Sequence, residues 1–514
     1  MRVRVLLVLI IALIASFFSL ITFSHASDYV LFGKELNITG HVSQEFGFAA
    51  HSDKKVKISS DGRSKYYDEP GLHSAYFTIY LDSTLWLTQD IHVRMINRLM
   101  GDWVYTMKKH NDSWRGRDFT RSNTPLHLEL TAYDVLREFY INYMRGNLSV
   151  RVGKQQLAWG QADGIRLCDI INPLDISREA LFRDSDEGYE TTRIPLLLVR
   201  INYTFGGMSF GPIWEPGIEF VFNPGDIRTP RLFDYSIWSP HDPLLPPGMN
   251  VSILDDRPDR QLDHNEWGFR LKGNVCDTRL TFNFWRGYRN YWDGVVPPVR
   301  GVAINPATGT LIVEKIYPKG NSYGITATRE WYSFRNIFKG QINPVLRLEL
   351  LYQDDFVFNT TRFPSFNDQE IDEKDILTYM LGFDWPVKIN LLNPERNIFI
   401  SGQFFHRHII NYPDNYELQV GAYGDWIARE DMFYSTLLTR TSYFHDFVKP
   451  QVLAVVDWTY GTWWLKPKLR FEYGNNWRPE IGAIFVFAGA NDYRREFGHW
   501  ADRDEVYVKM TYQF

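Results

Sequence analysis

The sequence predicts an all-β protein, a transmembrane antiparallel β-barrel of about 18 strands with short turns at one end and long loops at the other. Three observations predict it. The last nine residues alternate strictly, with Val506, Val508, Met510, Tyr512 and Phe514 on one face and Tyr507, Lys509, Thr511 and Gln513 on the other. At the end of a soluble protein such a strand leaves an aggregation-prone edge, whereas in a closed barrel it pairs with the first strand. Aromatic residues make up 16% of the chain, with 17 Trp and 29 Tyr, a loading suited to membrane interfaces that satisfy both an apolar ring and a polar tip. Beyond the N-terminal segment no stretch is long and apolar enough for a membrane helix, so the spans have to be strands of a closed sheet.

At the N-terminus, Arg2 and Arg4 precede an apolar run from Val5 to Phe23, and Ser24-His25-Ala26 places small residues before a cleavage point. Residues 1–26 read as a cleaved signal peptide and 27–514 as the barrel. An uncleaved anchor is the alternative, because the run is nearly long enough to span a membrane. No Cys near the cut supports a lipid anchor. The net charge of -5 argues against a nucleic-acid partner. Cys168 and Cys276 could pair in an oxidising compartment but lie far apart in sequence, and two cysteines alone support no metal site.

Alternating segments of bilayer-crossing length begin at 36–49, 72–87 and 91–100, and continue at 135–144, 147–157, 194–205, 217–223, 264–273 and 277–286. The second half adds 321–332, 343–353, 376–385, 397–409, 431–443, 451–460, 463–473, 479–488 and 504–514. The even count fits a single-chain bacterial barrel, and gaining or losing one hairpin keeps the parity, giving a range of about 16 to 20. Every second connection is short: Thr88-Gln89-Asp90, Gly146, a turn centred on Asn274, and Gly474 to Arg478. The opposite set is long, at 50–71, 101–134, 158–193, 224–263, 287–320 and 354–375. The connection near Gly461 is short where a long one is expected. This places short turns and both termini in the periplasm and the long loops outside a bacterial outer membrane.

The same alternation assigns faces. Lys468, Arg470 and Glu472 oppose Leu469, Phe471 and Tyr473, and Arg347 and Glu349 oppose Leu346, Leu348 and Leu350. Arg151 opposes Val150 and Val152, Arg200 opposes Val199 and Ile201, and His92, Arg94 and Arg98 align in the same way. A charge facing lipid costs about 2–4 kcal/mol at mid-membrane, so these faces are expected to line a polar lumen, with Arg94, Arg98, Arg151, Arg200, Arg347, Glu349, Lys468, Arg470 and Glu472 as its nine charged residues. Asp82, Glu138, Glu219, Asp384 and Asp457 roughly offset them, which leaves ion preference open, as does the alternative that the charges only pair and fill the barrel.

After the fifth strand, Gly153-Lys154-Gln155-Gln156-Leu157-Ala158-Trp159-Gly160 leads to Ile171-Asn172-Pro173-Leu174-Asp175. This resembles the Gly-[Arg/Lys]-Gln…Trp-Gly and Ile-Asn-Pro-x-Asp elements of the domain of unknown function 1302 family. The ending is similar to that family's as well, from Phe497-Gly498 through Asp502 to Asp504-Glu505-Val506. It also resembles the outer-membrane signal, here Tyr512 and Phe514, that the barrel insertion machinery reads. The resemblance implies a Gram-negative outer-membrane barrel in contact with lipids and lipopolysaccharide. It further implies a link to RND-type exporters and hydrophobic cargo, and it carries over no catalytic residue. If the 158–193 loop folds inward, Asp163, Arg166, Asp169, Asp175 and Arg178 are placed to constrict the pore; a surface loop is the alternative.

The leading expectation is a porin-like channel or transport barrel for small or amphiphilic molecules, without cofactor, metal or covalent chemistry. The alternative is a scaffold or sheath for a periplasmic export or electron-transfer partner. The chain itself has no haem Cys-x-x-Cys-His. A hydrolase is disfavoured by scattered histidines and the lack of Gly-x-Ser-x-Gly. His406 and His408 share a strand face that could bind a metal but more often marks a polar strand end, and Asp255-Asp256 and Asp368 to Asp375 lack the spacing of a Ca²⁺ loop.

Overall fold

Eighteen antiparallel strands close into one sheet in the computed structural model. It describes residues 27–50, 56–58, 64–66, 71–107, 127–128, 135–175, 189–228, 251–254, 257–289, 298–305, 307–334, 342–362, 370–420, 427–488, 498, 500 and 504–514. The barrel strands are β1 (Lys34–Ala49), β2 (Gly71–Trp86), β3 (Ile91–Asp102), β4 (Leu136–Arg145), β5 (Leu148–Gln155) and β6 (Leu196–Thr204). They continue as β7 (Ile213–Asn223), β8 (Glu266–Val275), β9 (Thr278–Tyr288), β10 (Lys319–Glu330), β11 (Val345–Thr360) and β12 (Ile371–Val387). The circuit ends with β13 (Ile398–Ile409), β14 (Asp431–Arg440), β15 (Val448–Asp457), β16 (Thr462–Phe471), β17 (Trp477–Phe487) and β18 (Glu505–Gln513). Each corresponds to one of the alternating segments in the sequence. The 1–26 segment lies outside the described residues.

The seam forms where β18 pairs with β1, from Val506 opposite Phe48 to Gln513 opposite His41. Phe514 and Gly40 then exchange two backbone hydrogen bonds of 2.9 Å. Gly40 is required there, since a Cβ would sit 2.4 Å from the Tyr80 carbonyl oxygen. Below that point Ser27–Leu31 folds back and pairs with Lys34 to Ile38 of β1. A buried contact of 2.5 Å between His73 on β2 and Glu505 on β18 spans β1 and ties the seam together.

Successive residues of each strand separate into an apolar outside and a mostly polar inside. Ile141, Leu197, Ile201, Phe220, Leu381 and Leu437 are exposed on the outer wall. In water an apolar belt of this extent would aggregate, whereas it matches the hydrocarbon of a bilayer. Trp331, Tyr332, Phe444 and Tyr473 are exposed near the short-turn end, at the level of an aromatic girdle.

The short connections fall at one end, the tightest being 146–147 and 276–277. The latter is not centred on Asn274, which stays inside β8 opposite Arg279. Instead Cys276 and Asp277 both adopt positive φ, 47° and 59°, the backbone of a two-residue type I′ hairpin. At the other end the Gly461 connection is short, at 458–461, as the sequence reads and against the long-loop pattern of that end. The expected 354–375 loop is mostly strand: β11 runs to Thr360 past an irregularity at Asp354 and Asp355, and β12 begins at Ile371. Loops 224–265 and 289–318 share a small sheet in which Val251–Leu254 lies parallel to Thr310–Lys315, itself antiparallel to Val299–Asn305.

Cys168 and Cys276 are both free, one buried within the barrel and the other exposed in a short turn. Burial, reinforced by the Glu349 carboxylate, pushes the Cys168 thiol well above the usual thiol range. A maleimide reagent is therefore expected to modify Cys276 alone in the folded protein and both cysteines after unfolding. Mass spectrometry of the labelled peptides checks this, and rapid modification of Cys168 in the folded barrel contradicts it.

Candidate functional site

The segment after β5 turns into the barrel and follows its inner wall. Trp159 is buried, donates its indole N–H to Glu219 on β7 at 2.8 Å, and packs edge-on against Trp285 of β9. Gln161 donates its side-chain amide to Thr326 on β10 at 3.2 Å and accepts from Thr328. Asp163 accepts from Arg347 on β11 at 2.7 Å, while its backbone N–H donates to Gln403 on β13 at 3.0 Å. At Gly164, with φ of 80°, a Cβ would press against the Thr436 side chain of β14 at 2.8 Å. The loop thus runs from β5 to β14, halfway round an eighteen-strand circuit.

Two residues of β11 hold its tip. Glu349, fully buried, accepts backbone N–H bonds from Gln161 and from Cys168, the latter at 2.9 Å. Arg347 donates to the Gln161 carbonyl, to Asp163, to Asp384 at 2.6 Å and to Ser401 at 2.9 Å. Charge-assisted bonds of this kind are about twice as strong as neutral ones. The base of the loop is clasped by Asn172, which accepts from the Leu157 N–H and donates to the Ile194 carbonyl, both at 2.8 Å. Asp169 pairs with Arg193 at 2.7 Å, and Arg166 donates to the Asn172 carbonyl at 2.8 Å. Asp175 lies on the same clasp, its N–H bonded to the Thr192 carbonyl at 2.7 Å. Arg178 is outside the described residues.

The nine wall residues named from the sequence divide by partner. Arg94 pairs with Asp82 at 3.0 Å, Arg200 with Glu219 at 2.8 Å, and Arg470 with Glu480 at 2.9 Å. Arg151 lies over the Tyr140 ring at 4.3 Å, and Lys468 is buried on β16. Arg98 donates to the Thr191 carbonyl at 2.6 Å, so it grips the loop's return leg. Glu472 lies just past β16, where Lys449 reaches it at 2.6 Å at the short-turn rim. Alternation exposed the faces of these residues but not their loop partners. Gln403, Thr326 and Thr436 carried no signal, being neutral residues that gain meaning only from what reaches them.

The lumen is not polar throughout. On β11 to β17 its long-loop half holds an apolar cluster, with Leu351, Met380, Phe405, Val455, Trp464 and Ile484 buried against Ile165 and Leu167 of the loop, and with Arg407, Asp457 and Lys466 buried on the same strands. Charge is concentrated towards the short-turn half, where Arg347, Asp384, Lys468 and Arg470 lie on the same strands. On the outer wall, His406 and His408 bracket Asp431 at 2.7 and 2.9 Å, with His406 stacked on Phe433. Their ligand-type atoms lie within 4.8 Å of one another, and each imidazole is already engaged by the carboxylate. Asp255, Asp256 and Asp368 lie outside the described residues.

Replacing Glu349 with Ala strands two buried backbone N–H groups of the loop, at about 1–3 kcal/mol each. Limited proteolysis in detergent is expected to cut the variant within 156–175 while the native loop resists and both barrels stay folded. An uncut variant loop would show that the remaining anchors suffice.

No curated protein matches the sequence. Among solved structures the chain is similar to OccAB3 of Acinetobacter baumannii, at 8% identity and TM-score 0.42, over 93% of this chain and 99% of that one. It is likewise similar to the outer membrane channel DcaP of Acinetobacter baumannii, at 10% identity and TM-score 0.38, over 95% and 100%. OmpF of Salmonella typhi, solved as a complex with daunomycin, gives 10% identity and TM-score 0.36 over 94% and 98%. Likeness at this level says nothing about solutes. The sequence profile of the family described as "Protein of unknown function (DUF1302)" matches residues 9–514, and the chain belongs to that family.

Proposed function

We propose that the protein is an outer-membrane channel through which small amphiphilic molecules diffuse, with loop 156–175 as its constriction and no covalent chemistry. The observation that carries this reading is the loop pinned inside the barrel by Arg347 and Glu349, at the border between the apolar cluster and the charged short-turn half of the lumen. The partly exposed Ala162 and Ile165 of the loop offer apolar contact to a solute's body, and the charged groups of the short-turn half meet its polar end. Selectivity then comes from pore width, hydrogen-bonding groups and charge along the path. The cleaved signal at 1–26 and the Tyr512–Phe514 ending supply export and insertion. The outer belt takes lipid and lipopolysaccharide, and an RND-type exporter or other periplasmic partner would meet the short-turn end.

Single-channel recording of the refolded mature protein in a planar bilayer tests the reading. Steady conductance is expected, and deletion of 161–185 is expected to raise it several-fold by removing the tip from the lumen. Unchanged conductance in the deletion variant would sink the constriction, and a correctly inserted but silent native barrel would sink the channel.

A further inference from the structure

Five cations converge on one arc of the lumen wall beside the loop. Arg151 on β5 and Arg200 on β6 stand directly opposite each other across the ladder. Arg270 and Lys272 follow on β8, with Arg279 on β9. All five side chains face inward, because the residues that alternate with them, among them Val152, Ile201, Leu271 and Phe282, are exposed on the outer wall. Like charges placed opposite one another on neighbouring strands are destabilising. Arg200, Arg270, Lys272 and Arg279 also lie close enough to feel one another's charge.

Several lumen arginines have carboxylate partners, as in Arg94–Asp82, Arg347–Asp384 and Arg470–Glu480. Here two carboxylates face five cations: Glu219, opposite Arg270 in the ladder and engaged by Arg200 and the Trp159 indole, and Glu138, near Arg151 and engaged by Gln156. Among the described residues no carboxylate lies within ion-pair distance of Arg151, Arg270, Lys272 or Arg279. Arg151 rests on the Tyr140 ring, and Lys272 donates to the Asn202 side chain at 2.8 Å. The Nε atoms of Arg151 and Arg270 are buried with no acceptor. Asn283, opposite Arg270 in the ladder and 4% exposed, has neither its oxygen nor its nitrogen engaged. Unsatisfied buried donors cost about 1–3 kcal/mol each, so a cluster of them beside excess positive charge is a site lacking its acceptor.

We propose that the β8–β9 part of this arc is an oxyanion station, where the carboxylate or phosphate end of a passing solute is held by Arg270, Lys272 and Arg279. Guanidinium forks match the paired oxygens of either group, while the ammonium of Lys272 adds a point charge. Passage of the solute rests on the channel reading, whereas binding does not.

Thermal unfolding of the detergent-solubilised full chain tests binding, with inorganic phosphate and hexanoate each compared against chloride at equal ionic strength. Either anion is expected to raise the unfolding temperature of the native protein, and which of them does so identifies the headgroup. The double variant Arg270→Gln/Lys272→Gln is expected to lose that rise, and the milder Arg279→Gln to reduce it should the double variant not fold. No rise with either anion, or a rise kept in the variants, overturns the station. In a KCl gradient across a bilayer, the reversal potential is expected to favour chloride in the native protein and to lose that preference in the variants. Cation preference, or variants with unaltered selectivity, also overturns it. A silent barrel that is still stabilised by these anions overturns the channel and upholds the station.

Discussion

In hydrocarbon an unpaired backbone N–H or C=O costs several kcal/mol, because no water is present to replace the missing partner. A sheet meets that constraint only by leaving no edge, so everything in this protein depends on the seam between β18 and β1. The chain ends on Phe514 within two backbone bonds of Gly40. The side chain missing from Gly40 lets the ladder close there, next to the Tyr80 carbonyl. Closure also creates an inside. From that follows the two-sided demand on every strand, with lipid on one face and the lumen on the other.

The inside needs its own solution. A loop carrying many N–H and C=O groups is stable within a barrel only if the wall supplies partners. Glu349 and Arg347 do so from adjacent inward positions of one strand, the first accepting the loop's N–H groups and the second donating to its carbonyl and carboxylate. A carboxylate buried as deeply as Glu349 is otherwise costly, and here it is sustained by two backbone donors. Its charge therefore serves the loop's position against the inner wall.

The strand pattern was legible in the sequence because lipid imposes it: wherever the outer face touches hydrocarbon, every second residue is apolar. The signal fades where lipid ends. Between Asp354 and Asp375 the strands β11 and β12 continue, but Asp372, Glu373 and Lys374 show no apolar face, so the segment reads as a loop. The turn at Cys276 and Asp277 lacks the glycine or asparagine that normally announces positive φ. Faces of charged residues were legible as well, since lipid excludes charge. What they bind was not, because Glu349 and Lys468 carry the same sequence signal yet one anchors a loop and the other lines a wall.

The apolar cluster of the lumen shows the limit of alternation. On β14 the inward residues Met432, Tyr434 and Leu438 alternate with outward Phe433 and Leu437, so apolar residues stand on both faces and the contrast between them is weak. Such a strand approaches the pattern of a core buried on both sides. That description is physically apt, with lipid on one side and the loop cluster on the other. A water-filled pore lined only by charge would have preserved the alternation. The weak contrast on β14 thus marks a stretch of wall whose inward face is packed into the apolar cluster with the loop.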